Sequence, residues 1–262
     1  MKIGFLGAGN MGGAIARAAV AAGYRDVLLC DKDEAKAKVK AKELGCAAGD
    51  AAKLSTCDMI FLGVKPQFLK GAMVELLAAL GDARPLLVSM AAGVSLATLE
   101  ALAPSFPIIR IMPNTPVGIG EGMVLYTKGT LASEDDAGAF CAVMAKSGAV
   151  YELSEGKIDA ASALSGCGPA FVCLFLEALA DGGVAAGLSR DEALLFARQT
   201  LLGTAALVKE TGKHPAVLKD EVCSPGGSTI QGVRALEEGA FRATVMSAVL
   251  AALARTKELG KQ

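Results

Sequence analysis

Over the first 155 residues, short apolar runs alternate with stretches of helical spacing. The runs are KIGFLG (2–7), DVLLCD (26–31), DMIFLGV (58–64), PLLVSMAA (85–92) and PIIRIMP (107–113). Each is apolar at nearly every position rather than at alternate ones, the pattern of strands buried on both faces of a parallel sheet. Between them, residues 10–22, 33–44, 66–80 and 95–103 repeat their apolar positions at helical intervals. Ser95 and Ser133 stand where N-caps belong, and Asp136 three positions after Ser133 makes a variant of the capping box. Two further strands, MVLYTK (123–128) and AVYELS (149–154), bracket one more helix and complete the sheet. This alternation predicts an α/β protein whose residues 1–155 form a Rossmann-type doubly wound sheet.

From 156 to 262 the strand pattern stops. KIDAASAL, PAFVCLFLEALADGGVAAG, SRDEALLFARQTLLGTAALVKETG and FRATVMSAVLAALARTKELG all read as helices. Ser189 with Glu192 forms a capping box, and Gly212 is placed as a C′ glycine. Several of these helices are apolar around most of their circumference, which calls for burial between neighbours or subunits. An all-α dimerisation domain is the economical reading.

Composition narrows the partners. Charged residues are 20% of the 262 positions and the formal net charge is −1, so nucleic acid or an anionic membrane is not an expected partner. The N-terminal MKIGFLGAGN turns into glycines at once, without the length or cleavage site of a signal peptide. No later apolar run reaches the ~20 residues of a membrane span without Gly, Pro or a charge. Seven scattered cysteines with no C-x-x-C pair suggest reduced, mostly buried thiols in a cytoplasmic protein rather than disulfides or a metal site. The single histidine, His214, precedes Pro215 and reads as the start of a short helix, leaving the helical half poor in general acids.

Two stretches carry chemistry. GAGNMG, Gly7 to Gly12, follows the first strand and fits G-x-G-x-x-G. Gly7 permits the tight turn, Gly9 lets backbone approach a pyrophosphate, and Gly12 lets helix pack on strand. Asp31, about 20 residues on at the end of the second strand, either hydrogen-bonds a ribose 2′-OH or caps a helix. Lys32 beside it offsets repulsion of a 2′-phosphate, so NADPH and NADH both remain open as cofactor. GVKPQ (63–67) and MAAG (90–93) end two further strands and should line the nicotinamide half of the cleft. There Lys65 is either a charge near the ligand or a solvated lysine before Pro66 at N1.

The second stretch, CSPGGSTIQG (223–232), breaks helix inside the apolar helical half. Gly226 and Gly227 precede a helix starting near Ser228, whose first-turn N–H groups have no helical partner. With the Ser228 and Thr229 hydroxyls they suit a carboxylate, the alternative being a hydroxyl-capped helix.

Taken together, FLGAGNMG, GVKPQ, AAGVS, RIMPNTP, LSGCGPAF, ALADGGVAAGL and HPAVLKDEVCSPGGSTIQGVRALEEGAFR resemble the pyrroline-5-carboxylate reductase family from residue 2 to about 258. The resemblance implies NAD(P)H reduction of a cyclic imine to proline in a homodimer or larger homo-oligomer formed through the C-terminal helices. It implies cofactor contacts from Leu6, Gly7, Ala8, Gly9, Asn10 and Met11, from Val64, Lys65 and Pro66, and from Met90, Ala91 and Ala92. It implies that Ser228 and Thr229 hold the substrate carboxylate, with the Thr229 hydroxyl near the imine nitrogen, and that residues 164–171 sit beside a neighbouring subunit's nicotinamide. Cys167 stands where a serine is usual and Phe171 where a tyrosine is usual, so neither is assigned a hydroxyl contact. Asp50 falls where some members use an asparagine and is not counted as a ligand.

Two rival readings are weaker. A β-hydroxyacid dehydrogenase would need a catalytic lysine on the first long helix of the second half, and ALSGCGPAFVCLFLEALADGG has none. A non-enzymatic nucleotide sensor has no need of a carboxylate site.

Overall fold

The computed structural model describes residues 1–259, so 260–262, the end of the expected helical domain, lie outside the described residues. An eight-stranded sheet is formed by β1 (Ile3–Leu6), β2 (Val27–Cys30), β3 (Ala47–Ala48), β4 (Met59–Leu62), β5 (Leu86–Ser89), β6 (Ile108–Pro113), β7 (Gly122–Lys128) and β8 (Gly148–Glu152). Their order across the sheet is β3-β2-β1-β4-β5-β6-β7-β8. The chain therefore reverses its direction of travel between β1 and β4, which creates the crevice where doubly wound sheets take ligands.

The continuous apolar character of the strands has its explanation in two cores. Ile3 and Phe5 of β1, Leu29, Phe61 and Val88 pack beneath α1 (Asn10–Ala21), α2 (Glu34–Leu44) and α5 (Glu134–Val143). Leu28, Ile60, Leu62 and Leu87 pack beneath α3 (Pro66–Leu80) and α4 (Leu96–Leu102). Phe5 and Phe61 are paired residues of β1 and β4 and stack with ring centroids 4.8 Å apart, directly under the crevice. Such a pair adds about 1 kcal/mol beyond its area burial. Gly4 leaves the opposite face open, where a Cβ would meet Leu54 Cδ2 at 2.5 Å, so the 3₁₀ turn Ala51–Thr56 sits tight on the sheet.

Two details depart from the sequence reading. β7 runs antiparallel to β6. Only residues 114–121 join them, too few for a crossover helix, so the chain must return in the opposite direction. The two-residue β3 carries no apolar run of its own to announce it. The N-cap assignments at Ser95, Ser133 and Ser189 are all observed, with complete capping boxes at Ser133 and Ser189. Gly212 takes the left-handed C-cap conformation at φ +62°.

The thiols need a correction. All seven are unpaired, but only Cys30 and Cys57 are buried, and Cys173 is exposed. Burial pushes Cys30 up to about 12 and Cys57 up to about 11. Cys46 and Cys141 are half-buried against the first core, and Cys167 and Cys223 are also half-buried.

The chain forms two compact units, one of Met1–Cys167 with the stretch from Leu253, the other of Gly168–Ala252. The first thus runs past 155 to include α6 (Glu155–Ser165), for a clear physical reason. Ile158 is fully buried against Met112 and Leu125. The buried Arg110 of β6 meets Glu155 Oε1 at 2.9 Å and Asp159 Oδ1 at 3.6 Å, and the same Glu155 oxygen accepts from Leu96 N at 2.6 Å. One carboxylate therefore ties α6 to the sheet and to the start of α4.

The second unit comprises α7 (Gly168–Ala185), α8 (Arg190–Thr211), α9 (Pro215–Glu221), α10 (Ser228–Glu238) and most of α11 (Phe241–Leu259). α7 and α8 meet through Ala180, Ala193 and Ala197, with Leu176 and Val184 beside them. Gly183 allows the close approach, since a Cβ there would stand 3.1 Å from that of Ala193. Large apolar side chains remain outside: Leu174 is 68% exposed, Leu250 64%, Met246 61% and Leu202 59%. The stretch Glu155–Ala185 is also long and apolar enough to cross a membrane by length and composition.

The ion-pair junction makes a direct prediction. Glu155→Ala leaves the Arg110 guanidinium buried with only the more distant Asp159, and should cost about 2–3 kcal/mol of stability. Chemical unfolding followed by circular dichroism should show a lowered midpoint; an unchanged midpoint would mean that the pair does not anchor α6.

Candidate active site

The carboxyl ends of β2, β1, β4 and β5 stand side by side, and they bring together most of the residues the sequence singled out. Leu6 to Met11 follow β1, Asp31 and Lys32 follow β2, Val64 to Pro66 follow β4, and Met90 to Ala92 follow β5. Gly7 takes φ +107°, and its N–H donates to Cys30 O at 2.7 Å while Gly63 N donates to Leu6 O at 2.8 Å. A Cβ on Gly7 would lie 2.6 Å from Gly63 O, one on Gly63 would lie 2.8 Å from Gly7 O, and one on Gly12 would overlap Gly7 O. These three glycines are required for the backbone to close. Gly63 escaped the sequence reading as a site residue, although it opens the GVKPQ motif.

Gly9 differs from the other three. It caps α1 without any side-chain hydrogen bond to the first turn, and nothing crowds its missing Cβ except Lys36 Nζ, 3.9 Å away. The N–H groups at the start of α1 are thus free of a capping side chain and open toward space beside Gly9. A dinucleotide phosphate fits such a cradle through those N–H groups and the positive end of the helix.

Of the two roles open to Asp31, the helix cap is taken by another residue. Asp31 Oδ2 accepts from Ala8 N at 2.8 Å and its Oδ1 from Asp33 N at 3.0 Å, so the carboxylate braces the glycine loop. The cap of α2 is Asp33, which accepts from Lys36 N at 3.1 Å. Lys32 carries its ammonium 5.0 Å from the centroid of the exposed Phe68 ring, on the first turn of α3. Lys65 is exposed as the N-cap of α3, with Pro66 at N1. Beyond β5 the chain turns at Gly93, φ +76°, with Met90 half-buried, Ala91 buried and Ala92 exposed. Asp50 caps the 3₁₀ turn by accepting from Lys53 N at 3.2 Å.

Residues 164–166 are held at one point of the first unit. Asn114 Nδ2 donates to Ser165 O at 3.0 Å, and Asn114 Oδ1 accepts from Met123 N at 2.8 Å. This assigns a positioning role to the asparagine of RIMPNTP. Cys167 and Phe171 are both half-buried.

In the second unit Gly226 takes φ +70°, and Gly227 N donates to Ser224 O at 3.0 Å. The left-handed φ of Gly226 is what favours glycine in this turn, while a Cβ on Gly227 would require the Ser224 hydroxyl to move. Gly227 is the N-cap of α10 and makes no side-chain capping bond. Ser228 and Thr229 are the first two helical residues, both exposed. Their hydroxyls therefore do not serve as the cap, and the first-turn N–H groups remain available to an anion. His214 does cap: its Nδ1 accepts from Ala216 N at 3.2 Å at the start of α9. Asp181 pairs with Arg190 at 2.6 Å, and Glu177 is exposed on α7.

Comparison with known proteins bears on both regions. Residues 2–93 match a family described as NADP oxidoreductase coenzyme F420-dependent, and residues 155–259 match one described as pyrroline-5-carboxylate reductase dimerisation. Pyrroline-5-carboxylate reductase of Arabidopsis thaliana is 42% identical over 99% of this chain and 96% of its own length. A Coxiella burnetii pyrroline-5-carboxylate reductase structure superposes with a TM-score of 0.90 at 32% identity, covering 98% of both chains. A Plasmodium falciparum pyrroline carboxylate reductase, solved with NADP bound, has a TM-score of 0.88 at 32% identity over 99% of this chain and 98% of that one.

The glycine geometry separates two kinds of substitution. Gly9→Ala meets no backbone and should leave the protein folded while weakening dinucleotide binding by roughly tenfold through intrusion on the phosphate space. Gly12→Ala must displace the Gly7 carbonyl and should lower the unfolding midpoint as well. Dinucleotide titration by fluorescence beside thermal unfolding checks both; equal loss of stability in the two variants would contradict the assignment of Gly9 to the ligand.

Proposed function

The chain belongs to the pyrroline-5-carboxylate reductase family, and we propose that it carries out that family's reaction, the reduction of 1-pyrroline-5-carboxylate to L-proline. The observation that carries this reading is full-length similarity at 42% identity, which spans the dinucleotide cradle and the dimerisation region alike. Bound NADPH or NADH supplies a hydride to the imine carbon. With the imine nitrogen already protonated, the product is a neutral amine and no further acid is needed. That requirement suits a helical half whose one histidine is committed to capping α9.

The roles divide by unit. Leu6 to Met11, Asp31, Lys32, Val64 to Pro66 and Met90 to Ala92 form the cofactor side. Free N–H groups of Asn10 and Met11 meet the pyrophosphate, while Ala91 and Ala92 let the flat nicotinamide ring lie close to backbone. Gly226 and Gly227 free the first turn of α10, and Ser228 with Thr229 bind the substrate carboxylate there. The Thr229 hydroxyl lies at the imine nitrogen and orients its carbon toward the hydride.

By function we divide the chain into a dinucleotide-binding domain over 1–155 and a helical domain for substrate and dimerisation over 156–262, although α6 packs in the first compact unit. The apolar side chains left exposed on the helical unit support a homodimer or larger homo-oligomer built through these helices. In the apolar stretch Glu155–Ala185, α6 packs on the sheet and the exposed side chains of α7 belong to that interface, in a cytoplasmic enzyme with no membrane or nucleic-acid partner. Glu177 and Asp181 on α7 would be costly in lipid.

The test is NADPH and NADH oxidation with and without pyrroline-5-carboxylate. Substrate-dependent oxidation is expected with at least one cofactor, and none with either would refute the reading. Thr229→Ala should lower turnover by roughly 10–100-fold while leaving nucleotide affinity within about twofold. A loss confined to nucleotide affinity would remove Thr229 from the substrate side.

A further inference from the structure

Lys36 and Lys40 stand one turn apart on α2 and lie over Gly9 and Gly13, one turn apart on α1. Lys40 Cδ is 3.3 Å from where a Gly13 Cβ would be, and Lys36 Nζ is 3.9 Å from the corresponding point at Gly9. The two charges are treated differently. Lys40 meets Glu43 Oε2 at 2.6 Å, and Glu43 also binds Arg17. Lys38, on another face of the same helix, meets Glu34 Oε2 at 3.0 Å. Among the described residues Lys36 has no ion-pair partner. Its neighbours four positions away in either direction are Lys32 and Lys40, while Asp33 three positions before it is engaged in capping α2.

Asp31 is the acid that would be expected to answer this charge, yet both its oxygens accept backbone N–H groups, Ala8 at 2.8 Å and Asp33 at 3.0 Å. Lys32 is held over the Phe68 ring at the border of the same space. The end of β2 and the start of α2 flank the adenosine ribose in a doubly wound dinucleotide site, while the pyrophosphate lies over the start of α1. An ammonium that reaches Gly9 from the α2 side, past the end of β2, faces a substituent on that ribose.

We propose that Lys36, with Lys32 at its border, is the cation site for the 2′-phosphate of NADP(H), and that Asp31 is a positioning residue for the glycine loop rather than the acceptor of a ribose 2′-OH. Lys36 thereby sets the preference for NADPH over NADH. This inference rests on the cofactor assignment above.

Isothermal titration of the purified protein, without substrate, separates the sources of charge. The probes are adenosine 2′,5′-bisphosphate and 5′-AMP, which differ only in the 2′-phosphate, together with NADPH and NADH. Lys36→Gln should weaken adenosine 2′,5′-bisphosphate and NADPH about tenfold, one ~1.4 kcal/mol step. It should leave 5′-AMP and NADH within about twofold of their original affinities. Lys38→Gln, which removes a charge of the same helix away from Gly9, should change none of the four. Equal weakening of all four probes by Lys36→Gln would place the lysine on the pyrophosphate or in the fold and overturn the proposal. No change with any probe would overturn it as well. A wild-type protein that bound neither NADPH nor NADH would overturn the cofactor assignment together with it.

Discussion

The crevice depends on backbone meeting backbone at Gly7 and Gly63. A Cβ on either residue would press within 3 Å of the other's carbonyl oxygen, so the loops after β1 and β4 can touch only as glycines. The hydrogen bond from Gly63 N to Leu6 O fixes that contact, and the stacked Phe5 and Phe61 rings support it from below. With the two loops pinned, Gly12 can pass the Gly7 carbonyl and α1 can start at Asn10 with its first N–H groups uncovered. Asp31 completes the arrangement by accepting from Ala8 N. The phosphate cradle thus follows from close packing in the sheet, with the Asp31 carboxylate as its brace.

The helical unit obeys an opposite constraint. Its buried contacts are built on alanines, and leucines, valines and methionines are left outside. Small residues let α7 and α8 approach closely but bury little area, so the unit gains little stability from its own core. Exposed apolar faces of this kind suit association, and residues 155–259 match a dimerisation family. An uncapped α10 is tolerable in such a unit because Gly226 and Gly227 set its start without help from a side chain.

Much of the fold was legible because its signals are local. Continuous apolar runs marked seven strands, and serines at N-cap positions marked helix starts that the structure reproduces. The reversal of β7 was not legible, since strand direction is set by the length of a connection rather than by the strand. The glycine loop announced the cradle, but the bracing role of Asp31 depends on where Ala8 N points in three dimensions. Gly63 and Lys36 were missed for the same reason: each matters through a residue more than 25 positions distant in sequence, Gly63 through Gly7 and Lys36 through Gly9. At Ser228 and Thr229 the sequence left a capped turn and an anion site both open, and with Gly227 as N-cap neither hydroxyl caps α10.

The central claim is that this chain reduces 1-pyrroline-5-carboxylate, with the glycine cradle on the cofactor side and the α10 terminus on the substrate side. The direct test measures nucleotide binding and pyrroline-5-carboxylate-dependent NADPH oxidation in the purified protein and two variants. Gly9→Asp places a negative charge in the phosphate space, and Thr229→Asp places one against the substrate carboxylate. The unsubstituted protein should oxidise NADPH only with pyrroline-5-carboxylate, Gly9→Asp should lose nucleotide binding, and Thr229→Asp should keep nucleotide binding without turnover. Turnover undiminished in either variant, or nucleotide binding lost in Thr229→Asp, would contradict the account.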